Sequence, residues 1–208
     1  MVSVAAVEPQ PLVRRVRRLE AMAALEQGYP PDRKARLEEL AEEAAEGSLP
    51  AGKRKEVRDI VAFLKLAENP DDETSLLRVI NTPPRGVGKA SIDRVLAFAT
   101  DHAISAAQAF ERADEIAGLS PQSVAGYRVL RGALEAAGLA DSGRHLVFRL
   151  RQLLESIEYR TEVQRLYSEP MTREARWAGV EEVLNFAENY VRRSNAPTLH
   201  GFLEELAL

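Results

Sequence analysis

Two cations and two glycines meet in the segment Asn81-Thr82-Pro83-Pro84-Arg85-Gly86-Val87-Gly88-Lys89, and no other stretch of the 208-residue chain gathers donors on special backbone in this way. Pro83 and Pro84 forbid helix and bias the residues before them toward extended backbone. Gly86 and Gly88 can take positive φ and let another backbone come close. Arg85 and Lys89 flank them, and a helical pattern starts at once, with Ile92, Val95 and Leu96 on one face. Such a turn exposes backbone N–H groups at a helix N-terminus, where unpaired amides and the helix dipole both favour an anion. The chemistry on offer is phosphate binding; the competing interpretation is a helix–turn–helix corner whose glycines serve packing alone. A nucleotide-binding P-loop is excluded: Pro83 stands where its first glycine belongs, and Ala90 where the metal-binding Ser or Thr should follow Lys89.

Little else in the chain has the makings of a reaction centre. His102, His145 and His200 form no ligand pair at a metal-binding spacing. There is no Gly-x-Ser-x-Gly elbow and no Ser–His–Asp signature. The carboxylate pairs Glu38-Glu39, Glu42-Glu43, Asp71-Asp72, Glu181-Glu182 and Glu204-Glu205 fall on polar helix faces or caps, where solvated charge is their role. Trp177, at helical spacing with Val180 and Leu184, is a core anchor before it is a stacking platform. The absence of cysteine removes thiol catalysis, disulfides and Cys-ligated metal sites. No cofactor and no metal is expected. A net charge of −4 gives no global basic field, so any nucleic-acid contact must be local. No apolar run approaches the roughly 18–20 residues of a membrane span, and no signal-peptide architecture is visible, so the chain is expected to be cytoplasmic and soluble.

The elements that must hold the turn read as helices throughout. The composition is rich in Ala, Leu, Glu and Arg, and strand-like alternation is hard to find. An amphipathic helix is predicted over 11–27, whose opposite face holds Arg14, Arg15, Arg17 and Arg18, a run that could meet phosphate but is more commonly a solvated helix face, and a polar helix capped by Asp32 over 32–46. A linker follows at 47–52. From 53 the character changes: a helix places Val57, Ile60, Val61 and Leu64 on one face, and Asn69-Pro70-Asp71-Asp72 stops it and caps the next, which buries Leu76, Leu77 and Ile80 before the turn. Beyond the turn, helices are predicted to about 101, over 105–112, from the Ser120-Pro121 start to Gly138, over 144–156 and over 159–167. A long helix capped by Thr172 runs to about 193, and a last one is capped by Thr198.

These residues also carry a family resemblance. Lys55-Glu56-Val57-Arg58-Asp59-Ile60 with Phe63-Leu64-Lys65-Leu66, then Asn69-Pro70-Asp71-Asp72, then Leu77-Arg78-Val79-Ile80-Asn81-Thr82-Pro83-Pro84-Arg85-Gly86-Val87-Gly88, resembles the opening of the 2B subdomain of UvrD/PcrA/Rep-type superfamily 1 DNA helicases. Leu153-Leu154-Glu155, Tyr159, Glu181-Glu182-Val183-Leu184 and the segment from Leu199 to Leu208 resemble the rest in the same order. The resemblance implies an all-helical insertion in an ATP-driven 3′–5′ helicase. Its Gly-hydrophobic-Gly turn is helix-hairpin-helix-like and meets the duplex backbone, and the subdomain rotates as a body to modulate unwinding. Carried onto this chain, the DNA-binding positions are Thr82, Arg85, Gly86, Val87, Gly88 and Lys89. The chain departs from the full helicase in having no Walker A loop, no Asp-Glu box and no RecA-like strand pattern. In place of the aromatic-rich strand that precedes the first helix in the family it has Leu49-Pro50-Ala51-Gly52.

The expected fold is therefore an all-α, multi-helix orthogonal bundle with a helix-hairpin-helix-like Gly-Val-Gly turn. An unassigned helical extension is expected at 1–52 and a 2B-like domain at 53–208. The expected function is non-catalytic: sequence-independent binding of the duplex-DNA phosphate backbone, regulating a UvrD-like helicase in DNA unwinding and repair. The alternative is a helical module that docks helicase motor domains, or a repair or transcription protein, without touching DNA.

Overall fold

The first described helix, α1 (Lys55–Glu68), carries more apolar residues than one stripe needs. Val57, Ile60, Ala62, Phe63, Leu64 and Leu66 are all buried, while Val61, expected on the buried face, is half-buried. The helix is central, not peripheral: α2 (Glu73–Val79), α5 (Pro121–Ala137), α8 (Pro170–Arg193) and α9 (Leu199–Ala207) all pack on it. The computed structural model describes residues 55–207. The helices expected over 11–27 and 32–46 and the linker at 47–52 lie outside the described residues.

Local chemistry sets the boundaries. Asp72 caps α2, its carboxylate accepting from Ser75 N at 3.0 Å and Ser75 Oγ at 2.8 Å. α3 (Lys89–His102) starts from Gly88 and ends where Ala103 turns left-handed. Ser105 and Gln108 form a capping box at α4 (Ala106–Glu111). A 3-10 turn at Ala113–Glu115 leads to Ser120 and Pro121, which open α5; Gly138, at φ 55°, closes it. The helix predicted over 144–156 begins instead as a 3-10 turn, Gly143–His145, before α6 (Leu146–Ser156). α7 is Tyr159–Leu166. The expected Thr172 cap is also corrected: α8 starts three residues earlier, with Glu169 at the cap and Pro170 in the first turn. Proline there needs no N–H and has its φ already set, so it starts the helix that it was expected to precede. Thr172 Oγ1 donates to Glu169 Oε2 at 2.9 Å instead. At α9, Thr198 Oγ1 accepts from Gly201 N at 3.0 Å, as a cap does. No strand occurs among the described residues, and the fold is all-α.

The core joins Ile60, Phe63 and Leu64 of α1 to Leu146, Leu150 and Leu153 of α6, Val180 and Ala187 of α8, and Phe202 of α9. Tyr159 meets Phe63 edge-on, with centroids 6.1 Å apart. The tyrosine also reaches a buried charge: its hydroxyl donates to Asp59 Oδ2 at 2.9 Å, while Lys55 Nζ and Arg78 Nη2 pair with the same carboxylate at 2.6 and 2.7 Å. Glu56, equally buried, accepts from Tyr167 Oη at 2.6 Å. Buried carboxylates persist only when paired and hydrogen-bonded, and these pairs cross-link α1 to α2 and α7. The Tyr159 hydroxyl is pushed well above the usual phenol range by burial and by the adjoining Asp59 charge.

Candidate nucleic-acid interface

The chain leaves α2 at Ile80 and must reverse direction before α3 starts at Lys89. The two prolines and two glycines lie in this connection, which contains a cis Thr82–Pro83 peptide. Asn81 organises its amides: Asn81 Oδ1 accepts from Arg85 N at 2.7 Å and from Val87 N at 3.3 Å. Arg85 organises its carbonyls. Its guanidinium turns inward, and Nη1 donates to the carbonyls of Val79, Ile80, Thr82 and Pro83 at 3.0–3.4 Å. Burial lowers its pKa to about 10, the charge of Glu162 partly offsetting the effect.

Of the six sequence-selected residues, three therefore face inward. Thr82 is half-buried, its Oγ1 3.5 Å from Arg78 O. The Arg85 side chain, expected as a phosphate donor, is instead the pin of the loop. Val87 is 2% exposed and anchors the turn in the core. The other three face outward together. Gly86 is exposed at φ 76°, a backbone state that favours glycine. Gly88 is exposed too, but at φ −81° and ψ 164° it needs no glycine for its conformation, and a Cβ built there has nothing within 4 Å. What Gly88 leaves is open space in front of the start of α3. Lys89 is 87% exposed at its side chain, its Nζ 2.9 Å from Asp93 one helical turn on.

The amides of Gly88, Lys89 and Ala90 occupy the start of α3, where no preceding turn can supply acceptors. Ser91 N and Ile92 N are already bonded to Gly88 O, at 3.0 and 3.1 Å. The positive end of α3 therefore opens onto the space beside Gly88.

A second helix clasps the loop. Ser123 on the first turn of α5 is buried; its hydroxyl donates to Gly86 O at 3.1 Å and pairs with the Ser91 hydroxyl at 2.8 Å. Gly126, one turn on, lies so close that a Cβ there would sit 2.3 Å from Arg85 O and 3.0 Å from Val87 Cγ2. Gln122 lies against Gly86. The N-termini of α3 and α5 thus converge on one loop. Asn81 stood in the sequence pattern without being assigned a role, and Ser123 and Gly126 escaped it altogether. The small residues three apart, Ser123 and Gly126, directly after a Ser-Pro helix start, were the available signal for a close helix–loop contact.

The remaining candidates are spread over the surface. His102 stacks on Phe98 at 3.9 Å, with Nδ1 2.9 Å from Phe98 O. His200 bridges Glu68 at 2.7 Å and Glu204 at 3.4 Å, and these carboxylates, Glu68 first through its hydrogen bond, raise its pKa. Trp177 is half-buried: its Nε1 donates to Glu181 Oε1 at 3.1 Å, and the Arg160 guanidinium covers its ring at 5.0 Å. No described helix is long and apolar enough to cross a membrane.

Comparison with known proteins gives this geometry a context. Residues 52–118, which include the whole loop, match the UvrD-like helicase C-terminal domain family. The chain is 31% identical over 155 residues to a Bacillus subtilis protein named ATP-dependent DNA helicase PcrA, covering 74% of this chain and 21% of that one. A Staphylococcus aureus protein of the same name is 31% identical over 167 residues, and one from Staphylococcus epidermidis 26% over 163, with the same shares of each chain. The chain thus spans about a fifth of the length of the curated relatives that it matches.

Proposed function

This chain is related to the UvrD/PcrA-type superfamily 1 helicases, and from that premise we propose that residues 53–208 are a 2B-type accessory subdomain that binds the duplex-DNA backbone and performs no ATP hydrolysis itself. The observation that carries the reading is the outward set at the start of α3: the amides of Gly88, Lys89 and Ala90, an open approach at Gly88 and a cationic side chain at Lys89. Amides aimed at a phosphate recognise its oxygens without reading bases, so the binding is sequence-independent. Thr82, Arg85 and Val87 belong to this interface as the foundation that shapes it, and Gly86, Gly88 and Lys89 as its face. Ser123 and Gly126 hold the face against α5.

The test is fluorescence anisotropy with a short blunt duplex across a salt series. Gly88→Ala fits the backbone and meets no atom in the fold, so it leaves stability within about 0.5 kcal/mol, yet it fills the approach to the amides. Duplex affinity falls in that variant. Lys89→Gln lowers the slope of log affinity against log salt by about 0.9, the value of one phosphate contact. Unchanged binding in both variants refutes the proposal.

A second reading has its own observation. A groove of about 630 Å³ between α7 and α8, lined by Arg160, Val163, Arg173, Trp177, Ala178 and Glu182 among others, offers a half-buried aromatic with charges of both signs around it. This suits docking of helicase motor domains or of a repair or transcription protein. It is the reading to adopt if duplex binding is absent at low salt.

A further inference from the structure

A second cationic surface lies away from the hairpin loop, on the exposed side of α6. From residue 143 to 152 the chain carries Arg144, Arg149 and Arg151 and no acid; from 189 to 197 it carries Arg192 and Arg193 and no acid. The fold joins these segments, because Arg144 Nη2 donates to Asn195 O at 3.2 Å. Glu181 pairs with Arg151 at 3.4 Å, Glu205 pairs with Arg193, and Arg149 turns to the Gly138 carbonyl; Asp141, Glu155 and Glu188 stand just outside the two segments.

Within this edge stands Phe148, 61% exposed. One turn on along the same face of α6 are Arg151 and Gln152, and the 3-10 turn that precedes α6 carries Arg144 and His145, all four exposed. Arg151 follows the ring by one turn and Arg144 precedes it in the 3-10 turn. An exposed ring between cations suits a planar, unpaired base with a phosphate on either side, whereas a duplex keeps its base faces stacked internally.

We propose that the α6 edge is a track for single-stranded nucleic acid, with Phe148 stacking a base and Arg144 and Arg151 engaging the flanking phosphates. The track is independent of the duplex face at Gly88 and Lys89, and it adds to that reading the strand that is left once a duplex opens. Stacking gives it tolerance of sequence, because every base has a π-face.

The experiment is anisotropy of the full chain with a labelled oligothymidylate and, in parallel, a blunt duplex of equal length. Phe148→Ala weakens oligothymidylate binding by about tenfold and leaves duplex binding and thermal stability unchanged, since the ring is largely outside the core. The double variant Arg144→Gln/Arg151→Gln lowers the single-strand salt slope by about 1.4, roughly 0.7 for each phosphate released. Lys89→Gln leaves oligothymidylate binding as it was, so failure of the duplex reading and failure of the single-strand reading give different patterns. The proposal is overturned if the wild-type chain does not bind oligothymidylate at low salt, or if Phe148→Ala binds it as well as wild type. It is equally overturned if the edge takes up an acidic peptide and no oligonucleotide.

Discussion

Gly126 offers the sharpest test of how the loop is held, because α5 carries its own control. Glycine inside a helix costs about 1 kcal/mol relative to alanine, so Gly→Ala on α5 is favourable wherever space allows. At Gly132 a Cβ would meet nothing within 4 Å. Gly132→Ala should therefore stabilise the protein by about 1 kcal/mol. At Gly126 the same methyl would sit 2.3 Å from Arg85 O and 3.0 Å from both Arg85 Cβ and Val87 Cγ2. The nearest atom is backbone and cannot rotate aside, so α5 and the loop must separate. Overpacking of this kind costs about 1–3 kcal/mol, and the rigid carbonyl puts Gly126 at the upper end. After the propensity gain, Gly126→Ala should be destabilised by about 2 kcal/mol, leaving the two variants about 3 kcal/mol apart. For a chain of this size that is a gap of roughly 6–12 °C in Tm. Thermal and urea unfolding of both variants measure it. If Gly126→Ala is as stable as Gly132→Ala, α5 does not press on the loop and the clasp described above is wrong. If the gap appears, duplex binding should also fall in Gly126→Ala, since the displaced residues precede the amides of α3.

The other expectations rest on single groups. Arg85→Met keeps the length of the side chain but removes the donor that four carbonyls share, so it should destabilise by about 1–3 kcal/mol in urea unfolding; an unchanged midpoint would remove Arg85 from its role as the pin. Asp72→Ala should cost about 1 kcal/mol at neutral pH through loss of the α2 cap. Desolvation raises the Asp72 pKa, but the Ser75 hydrogen bonds and the Lys65 charge outweigh it and hold the folded value below the usual 3.8. The cap's contribution is therefore complete above the unfolded pKa and is lost as pH falls through the folded one, so the gap between wild type and Asp72→Ala should close in acid. His200 has the opposite sign: its folded pKa is raised, so the Glu68–His200 link between α1 and α9 is complete below 6.5 and is lost as pH rises through the folded value. Proton NMR of the His200 ring should show a midpoint above 6.5 that drops in Glu68→Gln; a midpoint indifferent to that change would show that the pair does not form.

What the sequence made legible was whatever is encoded over a few residues. The Asp72 cap, the Ser120-Pro121 start and the Gly138 stop each depend on one turn of chain, and each lies where the pattern placed it. The loop declared itself through its proline and glycine pairs. The inward turn of Arg85 did not, because an arginine beside two glycines reads as a surface cation unless the carbonyls around it are known. Nor did the clasp, since Ser123 and Gly86 are 37 residues apart. The charged positions of α1 were the hardest. Asp59 reads as polar surface, yet its partner Tyr159 lies 100 residues away and the two are buried together. No local pattern separates a carboxylate in water from one paired in a core; only the packing of α1 on several helices does so.

The inward arginine also explains how a loop on an acidic chain can present donors. Thr82 and Pro83 each precede a proline, so the peptide units that follow them have a carbonyl and no N–H. Left outward, these acceptors would face a phosphate with negative dipoles, and the carbonyls of Val79 and Ile80 would add the negative end of α2. Arg85 Nη1 collects all four. Asn81 Oδ1 takes up the amides of Arg85 and Val87, which fixes the path of the chain between them. The amides of Gly88, Lys89 and Ala90 are then left as donors on the positive end of α3. A charge used inside the loop thus gives the outer face its sign, which a single exposed guanidinium in that position would not do while the four carbonyls still faced the ligand.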